Sequence, residues 1–398
     1  MPSSSIPSPT PSAPGRMAWI DNIRWTVIAM VVMVHASVTY SGIGSWYYKE
    51  PAALDLGSRL AFSMFLTFSQ AFFMGLLFLV SAAFMPASYD RKGFARFVGE
   101  RAFRLGVPAL FYMLVLDPLV NLARDLGTGQ FGSLAAGMSR YGRYVLSGSF
   151  LDGSGPLWFA VALLAFAVLY ALARLAFGAL RARAASTATL APSPRAVHGV
   201  AAALMVLIAG GSFATRMVQP IGTSWHNMQL CFFPGYVVLF AVGLWAGRRG
   251  LLRALPREAG LLWLKLAFGV GVPAWLLLLG LGGALGGKEA LLLGGMHWQA
   301  AGYAAWEAFF AVSMSIGLLT LYRERVNRRN RGTGLLADAC FGIYVFHAPI
   351  LVTVSMLLRS ADIYPLAKAV IAAAAAFALS LGVAWLVRRI PAVGRVFA

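Results

Sequence analysis

Residues 19–40 read WIDNIRWTVIAMVVMVHASVTY. A helix needs about 20 mostly apolar residues to cross the hydrocarbon core of a bilayer, and this run supplies them. Inside lipid the backbone must satisfy its own hydrogen bonds, so the run reads as a helix and not as a lone strand. Three ionisable residues interrupt it: Asp21, Arg24 and His35. Each such group costs about 2.5–3.5 kcal/mol on insertion scales, so those that persist face a bundle interior or a cavity. Asp21 and Arg24 are three apart and meet on one helix face. Arg24 and His35 are eleven apart, close to three turns, which puts them on a shared face but about 16 Å apart along the axis. Arg24 therefore stands near the start of the helix, and His35 stands deep along it.

Nine further stretches have the same character, near 59–85, 105–123, 157–178, 197–217, 231–247, 260–283, 301–322, 340–358 and 365–387. The predicted fold is all-α, a polytopic membrane helix bundle of ten spans. Composition agrees, with 59% hydrophobic and 12% charged residues in 398, where a globular domain carries about a quarter charged. The loops that follow the even-numbered spans hold most of the Lys and Arg, as in Arg323, Arg325, Arg328, Arg329 and Arg331. By the positive-inside rule both termini are expected in the cytoplasm. The net charge of +19 then records membrane insertion, which argues against a nucleic-acid partner.

Residues 1–15, MPSSSIPSPTPSAPG, carry no charge and no apolar core and read as a disordered cytoplasmic tail, not as a cleaved signal. The transmembrane domain is expected over 16–390, with a short cytoplasmic tail over 391–398. A linker over 179–196, containing STATLAPSPR, is expected to divide four spans from six. No internal repeat is visible, which weakens an inverted-repeat transporter. Cys231 and Cys340 have neither disulfide-framework nor metal-ligand spacing, so no metal site is implied.

Other polar residues sit in apolar surroundings. His347 lies in CFGIYVFHAPI behind Tyr344 and ahead of Pro349, and the proline is expected to loosen the helix just beyond it. Two membrane histidines in one bundle point to a shared cavity, although each alone is as readily a hydrogen-bonded packing residue. Glu307 in YAAWEAFFAVS and Asp117 in LVLDPLV read as partners of a buried cation or as proton carriers, and Asp117 before Pro118 also reads as a cap near the outer interface. Arg101 and Arg104 in RAFRLGVP form a guanidinium pair suited to phosphate, a spacing that ordinary inside charges share. Trp158 reads as an interface anchor, and Trp46, Tyr47, Tyr48, Tyr141 and Tyr144 as anchors or sugar-stacking rings. No Gly-rich phosphate loop, HExxH or GxSxG occurs.

Taken in order, these pieces resemble the acyltransferase-3 family of integral-membrane acyltransferases over roughly residues 17–350. The family's first helix carries an acid, an Arg, ten residues and a His, similar to Asp21, Arg24 and His35. A double-Phe helix followed by Arg-x-x-Arg and Pro is similar to FFMGLLFLVSAAFMP and then Arg101, Arg104 and Pro108. Leu157, Trp158 and Phe159 resemble its fourth-span opening, and Gly342, Ile343, Tyr344 and His347 its late Gly-Ile-Tyr-x-x-His. Ala82 replaces a frequent Gly, and Cys340 and Phe341 replace a common Ser-Tyr; both departures bear on local packing and subfamily.

The resemblance implies transfer of an acyl group from cytoplasmic acyl-CoA to a hydroxyl of a sugar or glycan, often at the outer face of the membrane. Acyl-CoA is then a donor substrate and no cofactor is needed; the other partners are the glycan acceptor and membrane lipids. The expected place is the bacterial cytoplasmic (inner) membrane. On this reading His35, Asp21, His347 and Tyr344 are the catalytic set, with His35 taking the acceptor proton and Tyr344 or His347 donating to the oxyanion. Arg24, Arg101, Arg104, Glu307 and Trp158 are the expected substrate contacts. An acyl-histidine intermediate is the other route. The rival function is a proton-coupled transporter or lipid-linked glycan flippase, with Asp21, Glu307 and His347 relaying protons and no thioester chemistry.

Overall fold

Apolar length dictates the architecture. The computed structural model describes residues 17–51, 53–181 and 192–397; the expected tail over 1–15 and most of the 179–196 linker lie outside them. Among the described residues ten helical segments are long and apolar enough to cross a membrane. They are α1 Ala18–Ser41, α2 Leu56–Ala83, α3 Met85–Thr128, α4 Trp158–Arg181, α5 Pro194–Val218, α6 Phe233–Arg248, α7 Arg257–Gly286, α8 Trp298–Arg325, α9 Arg331–Leu357 and α10 Pro365–Arg388. The described β-structure is one isolated bridge, Trp225 to Met228. An even number of crossings starts α1 and ends α10 on one side, called here the near side; the opposite side is the far side.

Local chemistry sets the helix ends. Asp55 caps α2, accepting from the Ser58 amide at 2.9 Å and its hydroxyl at 2.7 Å. Asn330 and Thr333 form a reciprocal capping box at the start of α9. Gly42, with φ 69°, terminates α1 in the left-handed conformation that favours glycine.

The expectation for the third span is corrected. The third span, predicted over 105–123, belongs to a helical run from Met85 to Thr128 that is kinked at Gly93, where φ is 71° and ψ 178°. Its π-helical turns at Ala102–Gly106 and Tyr112–Leu116 lead into Pro108 and Pro118. Proline lacks an N–H and its ring crowds the carbonyl four residues back, and a widened turn accommodates both defects without ending the helix. Asp117 consequently stands inside a continuous helix and is no end cap. The connection 125–156 contains the helix Leu134–Leu146, and a short helix, Pro391–Phe397, follows α10.

Helix α2 runs through the middle of the core, with Leu76, Phe78, Val80 and Ala82 fully buried. Gly243 and Gly247 of α6 press against the backbone carbonyls of Leu79 and Ala83, where any Cβ would collide. Small residues allow this close approach, and dispersion from packed backbones takes the place of the hydrophobic effect between helices in lipid. Helix α1 lies against α2, α9 and α10. Asn22 fixes its near end by donating to the carbonyls of Val326 at 2.7 Å and Arg328 at 3.0 Å. The seam between α1 and α9 holds both membrane histidines.

Candidate active site

His347 on α9 is fully buried. Its Nδ1 lies 2.7 Å from the carbonyl oxygen of Tyr344, so that nitrogen carries the proton and donates. Pro349, two residues on, cannot donate to the helix ladder and crowds the preceding turn; the helix nevertheless continues through it to Leu357. The other nitrogen, Nε2, is buried and meets no partner among the described residues, and in this tautomer it presents a bare lone pair. His35 on α1 is half-buried, and the hydrogen bond that reaches it runs from Thr39 Oγ1 to its backbone carbonyl. Its ring is left uncommitted.

The two imidazoles meet edge to edge beneath an indole. Ring centroids are 3.8 Å apart for His35 and Trp46, 5.3 Å for His35 and His347, and 6.4 Å for Trp46 and His347, with these planes within 16° of parallel. These sides form a triangle close to right-angled at His35. Trp46 therefore covers the face of His35, while His347 lies beside it.

Trp46 stands in the connection between α1 and α2, which is fastened just after it at two points. The Tyr47 hydroxyl donates to Asp117 Oδ1 at 2.6 Å and lies 3.1 Å from the Tyr112 hydroxyl. Tyr144 reaches the other carboxylate oxygen at 3.1 Å and the Met113 carbonyl at 2.7 Å. Gly155, with φ 48°, lets the backbone pass this cluster; a Cβ there would stand 2.5 Å from the Tyr47 hydroxyl. Burial, the neighbouring Tyr112 and the Asp117 carboxylate push the Tyr47 hydroxyl well above the ordinary tyrosine range, so it stays a donor. Beyond Trp46, the Glu50 amide donates to the Thr39 carbonyl at 2.8 Å, and Lys368 holds the Glu50 carboxylate at 2.7 Å.

Tyr344 does not face this site with a free hydroxyl. Its OH donates to the Pro156 carbonyl, beside the Phe159 and Ala160 amides at the first turn of α4. It ties α9 to α4, so this hydroxyl is bonded within the fold. The Nδ1 proton of His347 is likewise bonded, to the Tyr344 carbonyl.

At the near end of α1, Asp21 lies 3.5 Å from Arg24 and 3.7 Å from Arg329. Fourteen residues separate it from His35, about 21 Å of helix, so its carboxylate lies beside the arginines and away from the imidazole. Arg24 stands 5.2 Å over the Phe84 ring and Arg101 5.4 Å over Phe97. Arg101 is within electrostatic reach of both Arg24 and Arg104. The three arginines thus converge at the near side, from α1 and from the first π turn of α3.

A family model described as an acyltransferase domain matches residues 17–389. The chain belongs to the acyltransferase-3 family. The matched segment contains all ten spans and both histidines. Neither the curated proteins nor the solved structures yield a match.

The remaining expected residues fall elsewhere in this acyltransferase. Glu307 bonds Arg216, and both side chains are buried. Arg216 escaped the sequence reading because it resembles a loop cation at the end of α5; only the tertiary fold brings it to α8, where its guanidinium also lies 5.1 Å over the Tyr303 ring. A narrow internal cavity beside the pair is lined by Gln70, Ser212, Tyr236 and Glu307. Trp158, expected to face the interface, stacks on Tyr236 at 5.7 Å, and its neighbour Phe159 meets the Tyr344 ring edge-on at 6.3 Å. Tyr141 and Tyr144, read as anchors or stacking rings, spend their hydroxyls on the Leu114 and Met113 carbonyls. Cys231 and Cys340 are unpaired.

Proposed function

We propose that this acyltransferase moves an acyl group from cytoplasmic acyl-CoA to a hydroxyl of a sugar or glycan on the far side of a bacterial cytoplasmic membrane, with His35 as general base. One observation carries the reading: an uncommitted imidazole lies edge to edge with a second whose proton is already fixed elsewhere. A His35 proton directed at His347 Nε2 leaves the other His35 nitrogen bare and aimed at the acceptor. His347 then orients the base, and the Tyr344 carbonyl orients His347.

The acceptor oxygen attacks the thioester carbonyl carbon, a C–O bond forms, and the hydroxyl proton passes to His35. Collapse of the intermediate breaks the C–S bond, and the proton on His35 goes to the departing thiolate, giving ester and free thiol. A positioned base of this kind contributes about 10²–10⁴-fold. Arg24, Arg101 and Arg104 receive the phosphates of the donor, for which forked guanidinium groups are suited. The stretch from Arg24 to His35, about 16 Å, is spanned by the extended arm that carries the thioester. Asp21 holds Arg24 in place.

Purified protein in detergent, given radiolabelled acetyl-CoA and envelope glycans from cells lacking the gene, is expected to move label to glycan and release free CoA. A transporter or flippase consumes no thioester, so unchanged acetyl-CoA and unlabelled glycan would sink the proposal.

A further inference from the structure

Tyr344 and His347 spend their donors within the fold, which leaves a base and no group to meet the charge that develops on the carbonyl oxygen. One unspent donor stands at the histidine pair. The Trp46 ring lies 3.8 Å over His35, and its Nε1–H is buried without a partner among the described residues. Leaving a buried N–H unmet costs about 1–3 kcal/mol, so a partner is wanted there in the working state. The segment that carries the indole is also anchored, because Tyr47 next to it is bonded to Asp117 and Glu50 four residues on to Lys368. Held donors serve an oxyanion best, since no reorganisation is needed as charge develops.

We propose that the Trp46 Nε1–H receives the carbonyl oxygen of the acyl group as it becomes an oxyanion, a role that rests on the acyl-transfer reading above. His35 takes the acceptor proton in the plane of its ring. The carbonyl oxygen is two bonds from the attacking oxygen, and a donor in the parallel plane of the indole meets it on the covered face. As the C–O bond forms, the carbonyl π pair moves onto that oxygen and the N–H bonds it. As the C–S bond breaks, the pair returns and the thiolate takes the proton from His35. The stack has a second effect, keeping the His35 ring coplanar with His347.

Trp46→Phe leaves a flat ring on His35 and removes the N–H. With labelled acetyl-CoA and the same glycans, kcat is expected to fall by about 10²–10³-fold, the range for one lost oxyanion donor. The KM for acetyl-CoA and the unfolding midpoint in detergent stay at their wild-type values. Benzothienylalanine placed at position 46 by suppression substitutes sulfur for the indole N–H at nearly constant size, and the same loss is expected even where Trp46→Phe folds poorly. Wild-type kcat in either variant overturns the assignment and makes the ring a packing element only. Lack of transfer by the wild-type protein overturns the underlying reading instead, and is recognised because it appears before any substitution.

Discussion

Tyr344 and His347 stand one turn apart on α9 and give their donors to different backbone carbonyls: the imidazole Nδ1 bonds the Tyr344 carbonyl at 2.7 Å, and the Tyr344 hydroxyl bonds Pro156 on the approach to α4. The first bond sets which nitrogen of His347 faces His35. The second holds the helix that carries both. On the proposed reading neither residue contacts an acyl group, and both act through His35.

Tyr344→Phe is therefore expected to weaken the fold more than the reaction. It deletes one hydrogen bond and strands the Pro156 carbonyl, a loss of about 1–3 kcal/mol. Thermal unfolding in detergent should show a lowered midpoint, with kcat near wild type below that temperature. A large fall in kcat at unchanged stability would restore Tyr344 to the chemistry.

Breaking the Arg216–Glu307 pair leaves a lone charge inside the bundle. Arg216→Met and Glu307→Leu singly should each cost about 3–5 kcal/mol, while the double replacement should be milder because neither charge is left unpaired. A double-mutant cycle on unfolding midpoints measures this, and additive losses would contradict the coupling.

How much of this was legible in the sequence follows from the range of each interaction. The ten spans are local, since each needs only its own apolar run, and the helix spacing that puts Arg24 on the face of His35 is local as well. Asp117 looked like a cap because the local effect of Pro118 is disruptive, yet packing in lipid favours a continuous helix and a widened turn absorbs the proline. Arg216 read as a loop charge because its partner lies 91 residues away. Trp46 read as an anchor or sugar platform because ring type does not reveal what a ring covers. The donors of Tyr344 and His347 show a related limit: residue identity states that a donor exists, and only the fold states where it is bonded.

The near-side arginines are expected to act on donor binding. Arg101→Ala or Arg24→Ala should raise the KM for acyl-CoA by about 10–100-fold, the equivalent of about 1.5–3 kcal/mol for a lost charged hydrogen bond, with kcat spared. Raised salt should weaken donor binding in the wild type and have less effect in the variants. An unchanged KM in both would remove the arginines from the donor site.

Asp55 supplies a pH-dependent term at the far side. Hydrogen bonds from the Ser58 hydroxyl and amide, and from Tyr364, lower its carboxyl from 3.8 to about 2. Its folded-state value is depressed, so its stabilisation is complete above about pH 4 and disappears as pH falls through about 2. The difference in unfolding midpoint between wild type and Asp55→Ala should be present at pH 5 and shrink across that window. A difference that persists unchanged to pH 2 would mean that the cap does not depend on the charge.

The central claim is that His35 takes the acceptor proton. The most direct measurement is acyl transfer by purified His35→Ala and His35→Gln proteins whose size-exclusion profile and unfolding midpoint match wild type. Both are predicted to lose about 10²–10⁴-fold in kcat while keeping the KM for acyl-CoA. Transfer at the wild-type rate by either well-folded variant would contradict the account.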